Sequence, residues 1–164
     1  MGAGKSRVGR ALADALGWKF VDTDVEVERA ARMKIAEIFA REGETGFRKR
    51  ESAVLESLPA RQCVVALGGG AVVAAENRRV LAGKGTLVWL DARPETVVER
   101  IGLADERPLL AGLDRGARIA KLEALSDARA AAYGTAALRI ATDTRSVEEV
   151  CAAVLAALGK GAAA

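Results

Sequence analysis

The chain has 164 residues, a formal net charge of +3 and no histidine. Its length suits one domain with a sizeable core, and its 51% hydrophobic content indicates a globular protein rather than a disordered one. The missing histidine excludes His-based general bases, serine–histidine–aspartate triads and the usual zinc sites. Because the positive charge is small and the arginines are scattered, an anionic small molecule is favoured over nucleic acid as the ligand.

Two isolated cysteines, Cys63 and Cys151, are typical of buried apolar residues in a reducing compartment. The sequence has no apolar run long enough to span a membrane, and no signal peptide is recognised before the first predicted element. We therefore expect a cytoplasmic protein with neither a membrane nor a nucleic acid as its partner.

The segment Gly2–Ser6 matches the end of a phosphate-binding loop of pattern G-x-x-x-x-G-K-[ST]. In such a loop the backbone N–H groups point at phosphate oxygens, Lys5 adds a positive charge and the Ser6 hydroxyl can ligate Mg²⁺. With Gly4 as the second glycine of the pattern, the first glycine would precede Met1. So would the strand that feeds the loop, and we expect that strand to be missing from the sheet.

A helix and a short strand are predicted next. Apolar residues at helical spacing predict an amphipathic helix that Gly17 ends: Val8, Ala11, Leu12, Ala15 and Leu16. The strand over 18–21 delivers Asp22 and Asp24, whose side chains would face one place because residues two apart share a side of a strand. A helix N-cap followed by a turn residue explains the two aspartates equally well.

Helical spacing continues over 25–41, with an apolar face formed by Val27, Ala31, Ile35 and Ile38. Gly43 interrupts the pattern, and a further helix opens at about Glu44. It carries Arg48 and Glu51, which are three residues apart and can pair on one face. Such a pair is usually solvated and contributes little, so its position alone indicates no function.

A near-continuous apolar run over 63–67 predicts a strand that is buried on both faces. It leads into Gly68, Gly69 and Gly70, which indicate a close approach to the backbone more strongly than a flexible turn. A short helix over 77–82 and a buried strand over 86–90 follow. Asp91 ends that strand, and Pro94 begins the next helix.

The segment 101–116 breaks regular periodicity and carries Arg107, which fits a mobile lid, although an ordinary surface loop is the simpler explanation. A helix over 119–133 with Arg129, a strand over 138–141 and a helix over 147–158 complete the chain, and a frayed tail follows from Gly159. Strands that alternate with helices predict an α/β sandwich with a mainly parallel sheet, whose ligands bind at the carboxyl ends of the strands.

Taken together, six segments resemble the shikimate kinase family over essentially the whole chain: G-A-G-K-S, D-T-D, G-E-x-x-F-R-x-x-E, A-L-G-G-G, R-P-L-L-A-G and R-x-x-x-Y. The resemblance implies a three-layer α/β sandwich of the P-loop kinase type with a five-stranded, mainly parallel sheet, whose first central strand is expected to be absent here. It also implies one monomeric kinase domain over 1–164, with a substrate-binding helical region over about 24–58 and a lid over about 101–116.

The implied reaction is transfer of the ATP γ-phosphate to the 3-hydroxyl of shikimate, with Mg²⁺, in the biosynthesis of chorismate. A related P-loop kinase for another small hydroxylated acid, such as gluconate, is an alternative within enzymes. A non-catalytic remnant that binds a nucleotide or shikimate is an alternative of another class.

The resemblance also implies a role for individual residues. The residues implied to bind the nucleotide are those of the loop and two later arginines: Gly2, Ala3, Gly4, Lys5, Ser6, Arg7, Arg100 and Arg107. The residues implied to bind shikimate are Asp24, Arg48, Gly68, Gly69, Gly70 and Arg129. Glu51 is implied to hold Arg48 in position. Lys5, Asp24 and Arg107 are the implied catalytic residues: the lysine bridges the transferring phosphoryl group, the aspartate is the candidate base and the arginine acts from the lid. Ser6 and, through water, Asp22 are the implied Mg²⁺ ligands.

One position departs from the family pattern. Arg7 stands where the family usually has threonine, so the expected hydroxyl contact to the nucleotide phosphates is missing and Arg7 offers a positive charge instead.

Overall fold

The structure, a computed structural model, describes residues 2–102 and 109–159. Its strands are β1 (Lys19–Asp22), β2 (Cys63–Ala66), β3 (Val88–Asp91) and β4 (Leu138–Ala141). Its helices are α1 (Lys5–Leu16), α2 (Thr23–Ala31), α3 (Ile35–Ser57), α4 (Ala75–Ala82), α5 (Pro94–Ile101), α6 (Arg115–Tyr133) and α7 (Val147–Ala157). The predicted α/β class is confirmed, and each predicted strand is present to within two residues at either end.

The strands form two parallel pairs. β1 pairs with β2 from Lys19↔Cys63 to Asp22↔Ala66, and β3 pairs with β4 from Val88↔Leu138 to Asp91↔Ala141. Within the described residues these are two separate two-stranded sheets. The parallel arrangement is as predicted, whereas a five-stranded sheet is not confirmed.

An apolar slot separates the two sheets. It has a volume of ≈ 650 Å³, and its lining includes residues of β2, β3 and the inner face of α1: Val64, Ala66, Val88, Leu90, Val8 and Leu12. In the described part of the chain, β2 and β3 each pair with one strand only, so each leaves one edge without a strand partner.

Helix α1 begins and ends at glycines that adopt the left-handed conformation. Gly4 is the N-cap (φ 90°), and Gly17 is the C-cap (φ 64°), as predicted for the end of this helix. Val8 and Leu12 pack against Val150 and Val154 of α7 in the main core cluster. This packing of α1 on α7 holds the phosphate-loop helix in place.

The prediction of one helix over 25–41 is wrong. Helix α2 ends at Ala31 because Arg32 adopts a left-handed conformation (φ 52°). Glu28 stabilises the break, since its carboxylate accepts hydrogen bonds from the Ile35 N–H at 3.0 Å and from Lys34 Nζ at 2.9 Å. The predicted interruption at Gly43 is confirmed as a kink inside α3 (φ 66°, ψ −174°).

The predicted apolar face of this region is also confirmed, because Val27 and Ile38 are buried together with Phe47. A separate cluster surrounds Leu110, which packs with Val97 and Leu122. Part of the predicted lid, residues 103–108 with Arg107, lies outside the described residues. No helix in the described ranges is long and apolar enough to cross a membrane.

Candidate active site

The predicted phosphate loop curls around the start of α1. Gly2 has φ 67° and Gly4 has φ 90°, conformations that glycine adopts without strain. A Cβ on Gly2 would lie 2.6 Å from Val97 Cγ1, so α5 packs directly against the loop backbone. Helix α1 has no acidic residue in its first turn, so the positive end of its dipole is not opposed there. The helix N-terminus is therefore suited to an anion.

Ser6 and Asp22 meet beside this loop. The Ser6 hydroxyl donates to Asp22 Oδ2 at 2.7 Å, and Asp22 Oδ1 accepts the backbone N–H of Asp24 at 3.1 Å as the N-cap of α2. Asp22 is therefore both the N-cap of α2 and the partner of Ser6 beside the phosphate loop. The two explanations given for the aspartates, a helix cap and a functional site, are compatible. The strand-based reason for their proximity is wrong, because Thr23 already begins α2 and Asp24 lies in its first turn.

The described residues contain no group of three or more histidines, cysteines or carboxylates that could hold a metal ion. Ser6 and Asp22 nonetheless offer a hydroxyl and a carboxylate, the oxygen ligands that Mg²⁺ prefers. Mg²⁺ is usually bound by one or two protein oxygens, with waters and substrate phosphates filling the remaining positions. The pair fits Mg²⁺ carried by a nucleotide and does not fit a metal held by protein ligands alone.

Two carboxylates face each other across Gly68. A Cβ on Gly68 would lie 2.6 Å from Glu51 Oε1 and 2.8 Å from Asp24 Oδ1, so glycine is needed there. Burial raises the pKa of Asp24 above its ordinary 3.8, and Asp22 adds to the rise while Lys5 and Arg48 oppose it. Burial likewise raises the pKa of Glu51 above 4.5, although its bond to Arg48 opposes the rise.

Arg48 is fixed by this carboxylate cluster and by the glycine loop. Its Nη1 donates to Glu51 Oε2 at 2.8 Å, and the Glu51 side chain is 1% exposed. A Cβ on Gly70 would lie 2.5 Å from both Arg48 Nη1 and Arg48 Nη2, so the guanidinium packs directly on the loop backbone. The predicted pairing of Arg48 with Glu51 is confirmed, and it is not the solvated surface pair that the spacing alone would suggest. Glu51 Oε1 is buried and has no hydrogen-bond partner among the described residues.

Helix α6 brings Arg129 towards the same cluster. The positive charge of Arg129 opposes the rise in the pKa of Glu51, which places the two residues within electrostatic reach. One turn later on the same face of α6, Tyr133 Oη donates to the Gly69 carbonyl at 2.7 Å. The Tyr133 ring also contacts Trp89 of β3, with ring centroids 5.6 Å apart.

Sequence reasoning missed Thr23, the middle residue of D-T-D. This residue is fully buried; its hydroxyl donates to the Ala66 carbonyl at 3.3 Å and accepts the Gly68 N–H at 2.9 Å. It thus joins the start of α2 to the end of β2. A hydroxyl at the end of a strand, beside two candidate site residues, was the only signal available.

The other described residues that are predicted to bind the nucleotide lie in the phosphate loop or near the end of β4. Arg100 donates to the hydroxyl of Thr142 at 2.9 Å and to the Thr142 carbonyl, next to the end of β4. Ala3 is half-buried and Arg7 is exposed. The structure therefore brings together the loop, the aspartates, Arg48, Arg129 and the glycines, and it leaves Arg100 in a separate contact with Thr142.

Comparisons with known proteins agree with this arrangement. The family model described as "Shikimate kinase" matches residues 1–159. A curated shikimate kinase of Symbiobacterium thermophilum is 48% identical over 160 residues, covering 94% of this chain and 90% of the relative. A curated shikimate kinase of Ruegeria pomeroyi is 46% identical over 160 residues, covering 96% of this chain and 80% of the relative.

Solved structures of shikimate kinases have a fold similar to that of this chain. Shikimate kinase from Acinetobacter baumannii in complex with shikimate has a TM-score of 0.87 and 38% identity, covering 96% of this chain and 88% of that one. Shikimate kinase from Bacteroides thetaiotaomicron has a TM-score of 0.90 and 27% identity, covering 97% of this chain and 94% of that one. On its sequence and its fold, this chain belongs to the shikimate kinase family.

Proposed function

We propose that this protein transfers the γ-phosphoryl group of ATP to the 3-hydroxyl of shikimate, giving shikimate 3-phosphate and ADP for chorismate biosynthesis. The observation that carries the proposal is the cluster around Gly68–Gly70, where two arginines and a partly buried aspartate lie beside the phosphate loop. A small hydroxylated carboxylic acid needs this combination: a guanidinium for its carboxylate and an acidic group for its reacting hydroxyl.

Phosphoryl transfer depends on positioning and charge neutralisation more than on covalent catalysis, so the reaction needs no histidine. Lys5 and the N–H groups of Gly2–Ser6 would bind the phosphates. Ser6, with Asp22 through water, would hold Mg²⁺, which neutralises phosphate charge when it is bound. Arg7, Arg100 and Arg107 are proposed nucleotide contacts, and Arg107 is also proposed as catalytic.

Asp24 is the proposed base for the shikimate hydroxyl. A carboxylate whose pKa is raised by burial is a better proton acceptor than an ordinary aspartate, and the positive charges of Lys5 and Arg48 favour its ionised form. Its position against Gly68 would bring the hydroxyl close to the backbone N–H groups of Gly69 and Gly70, since the Gly68 N–H is held by Thr23.

Arg48 and Arg129 would bind the shikimate carboxylate. Glu51 holds Arg48 from the buried side, so the planar guanidinium is oriented before the substrate arrives. An oriented donor loses less entropy when the substrate binds, and this favours shikimate over acceptors that lack a carboxylate.

The slot between β2 and β3 is suited to one extended strand that would pair with both free edges and complete a five-stranded parallel sheet. We further propose a single monomeric domain over 1–164, with a substrate-binding helical region over about 24–58 and a lid over about 101–116. The free cysteines Cys63 and Cys151 support a cytoplasmic location.

The test is an assay of ADP release by the purified protein with ATP and Mg²⁺, in which shikimate is compared with gluconate. We expect release that depends on shikimate and a negligible rate with gluconate. A higher rate with gluconate would favour the alternative kinase. A folded protein that binds ATP and shikimate without turnover would favour the non-catalytic alternative.

A further inference from the structure

The guanidinium of Arg48 is engaged on three sides, and the three sides differ in exposure. Gly70 covers one face, and the buried Glu51 takes Nη1 at 2.8 Å. The outer edge donates through Nε and Nη2 to a single oxygen, Glu44 Oε1, at 3.3 and 3.1 Å. The Glu44 side chain is 68% exposed, whereas that of Glu51 is 1% exposed.

The outer edge is the one that an incoming carboxylate can reach. Nε and Nη2 form the fork that matches a carboxylate in the bidentate geometry, whereas Nη1 is held by the buried Glu51. Glu44 fills this edge with a carboxylate of its own. It is placed there by the kink at Gly43 and by its position four residues before Arg48 on α3, a favourable order for a helical pair.

We propose that Glu44 is an internal competitor of the substrate carboxylate: it occupies the outer edge of Arg48 in the free protein and is displaced when a carboxylic acid binds. The inference rests on the proposed function, since it takes shikimate as the acid. Glu51 remains in place throughout and keeps Arg48 oriented. Glu44 thereby protects the guanidinium from other anions while weakening the apparent affinity for the substrate.

The displacement costs little because the pair is exposed. Exposed ion pairs on a helix contribute only weakly to stability, unlike the pair that Arg48 makes with the buried Glu51. Loss of the Glu44 charge should therefore strengthen substrate binding by a small and measurable factor and should leave the fold intact. A residue that only supported Arg48 would have the opposite effect.

The test is the dissociation constant of shikimate, measured by titration calorimetry on the full chain without nucleotide, for the wild type and Glu44→Gln. We expect a Kd about two- to fivefold lower in the variant, the range that exposed ion pairs span. Glu42→Gln is the matched control, because Glu42 pairs with Arg50 on the same helix and its loss changes the net charge equally. We expect Glu42→Gln to leave the Kd unchanged.

The methyl ester of shikimate provides the second measurement. It carries no carboxylate to compete with Glu44, so its affinity should be equal in the wild type and Glu44→Gln. A Kd for shikimate that is unchanged or raised in Glu44→Gln would overturn the inference, as would an equal decrease in Glu42→Gln. Failure of the wild type to bind or phosphorylate shikimate would instead refute the proposed function.

Discussion

The substitution Gly70→Ala tests whether the glycine loop positions the substrate-binding arginine. A Cβ at this position would lie 2.5 Å from Nη1 and from Nη2 of Arg48, and 2.7 Å from Cζ. Gly70 is not among the glycines with a positive φ, so alanine would not strain the backbone. The added Cβ would therefore act on the guanidinium of Arg48 and not on the backbone of the loop.

Carbon atoms in contact are about 3.5 Å apart, so the guanidinium would have to retreat by roughly 1 Å. Such a shift spoils the bidentate geometry that a carboxylate needs and disturbs the 2.8 Å bond to Glu51. A hydrogen bond to a charged group contributes about 1.5 to 3 kcal/mol, so we expect the KM for shikimate to rise roughly 10- to 150-fold. The KM for ATP should stay within about twofold, because the nucleotide is expected to bind at α1.

Steady-state ADP release at saturating ATP gives the KM, and thermal unfolding reports on the fold. Gly85→Ala is the matched control: its Cβ would meet no atom of the described residues within 4 Å, and its φ is not positive. Gly85→Ala should leave both KM values unchanged. A Gly70→Ala protein with a normal KM for shikimate, or with equal increases in both KM values, would refute the argument that Gly70 acts through Arg48.

Two further substitutions separate positioning from chemistry. Tyr133→Phe removes the 2.7 Å bond to the Gly69 carbonyl and keeps the ring beside Trp89. We expect the KM for shikimate to rise about three- to tenfold while kcat stays nearly unchanged. A fall in kcat with an unchanged KM would contradict this expectation. Asp24→Asn should abolish turnover and leave ATP affinity largely intact, as calorimetry with ATP can verify. Folding raises the pKa of Asp24, so the ionised side chain destabilises the folded protein once the pH is above that pKa. Asp24→Asn removes this charge and should therefore raise the unfolding temperature at pH 7. The gain should disappear below pH 3.8, the ordinary pKa of aspartate, where the wild-type side chain is neutral in both the folded and the unfolded protein.

Patterns with a local physical cause were predicted well from the sequence. The end of α1 at Gly17, the start of α5 at Pro94 and the strand β4 were all correct. Each depends on the conformational limits of one residue or on the apolar pattern of a few. The family resemblance was confirmed by the comparisons, because it rests on several short segments in a fixed order.

Features that depend on contacts across the chain were not predicted. The break after Ala31 is stabilised by the bond from the Ile35 N–H to Glu28, and periodicity carries no sign of such a bond. The role of Thr23 requires a partner 43 residues away at Ala66. The Arg48–Glu51 pair was predicted from its spacing, but its burial follows from packing against Gly68 and could not be derived from helix geometry.

Two of the three glycines after β2 leave room for side chains of the site, and the third contributes a backbone contact. Gly68 makes room for two carboxylates and Gly70 for a guanidinium, while Gly69 presents its carbonyl to Tyr133. The last contact also spans the separation between the sheets, since the loop extends from the β1–β2 pair and the Tyr133 ring packs on β3 of the other pair. Arg129 lies on the same helix as Tyr133, so the distance between the two arginines that are proposed to bind the substrate depends on how the two sheets are held together.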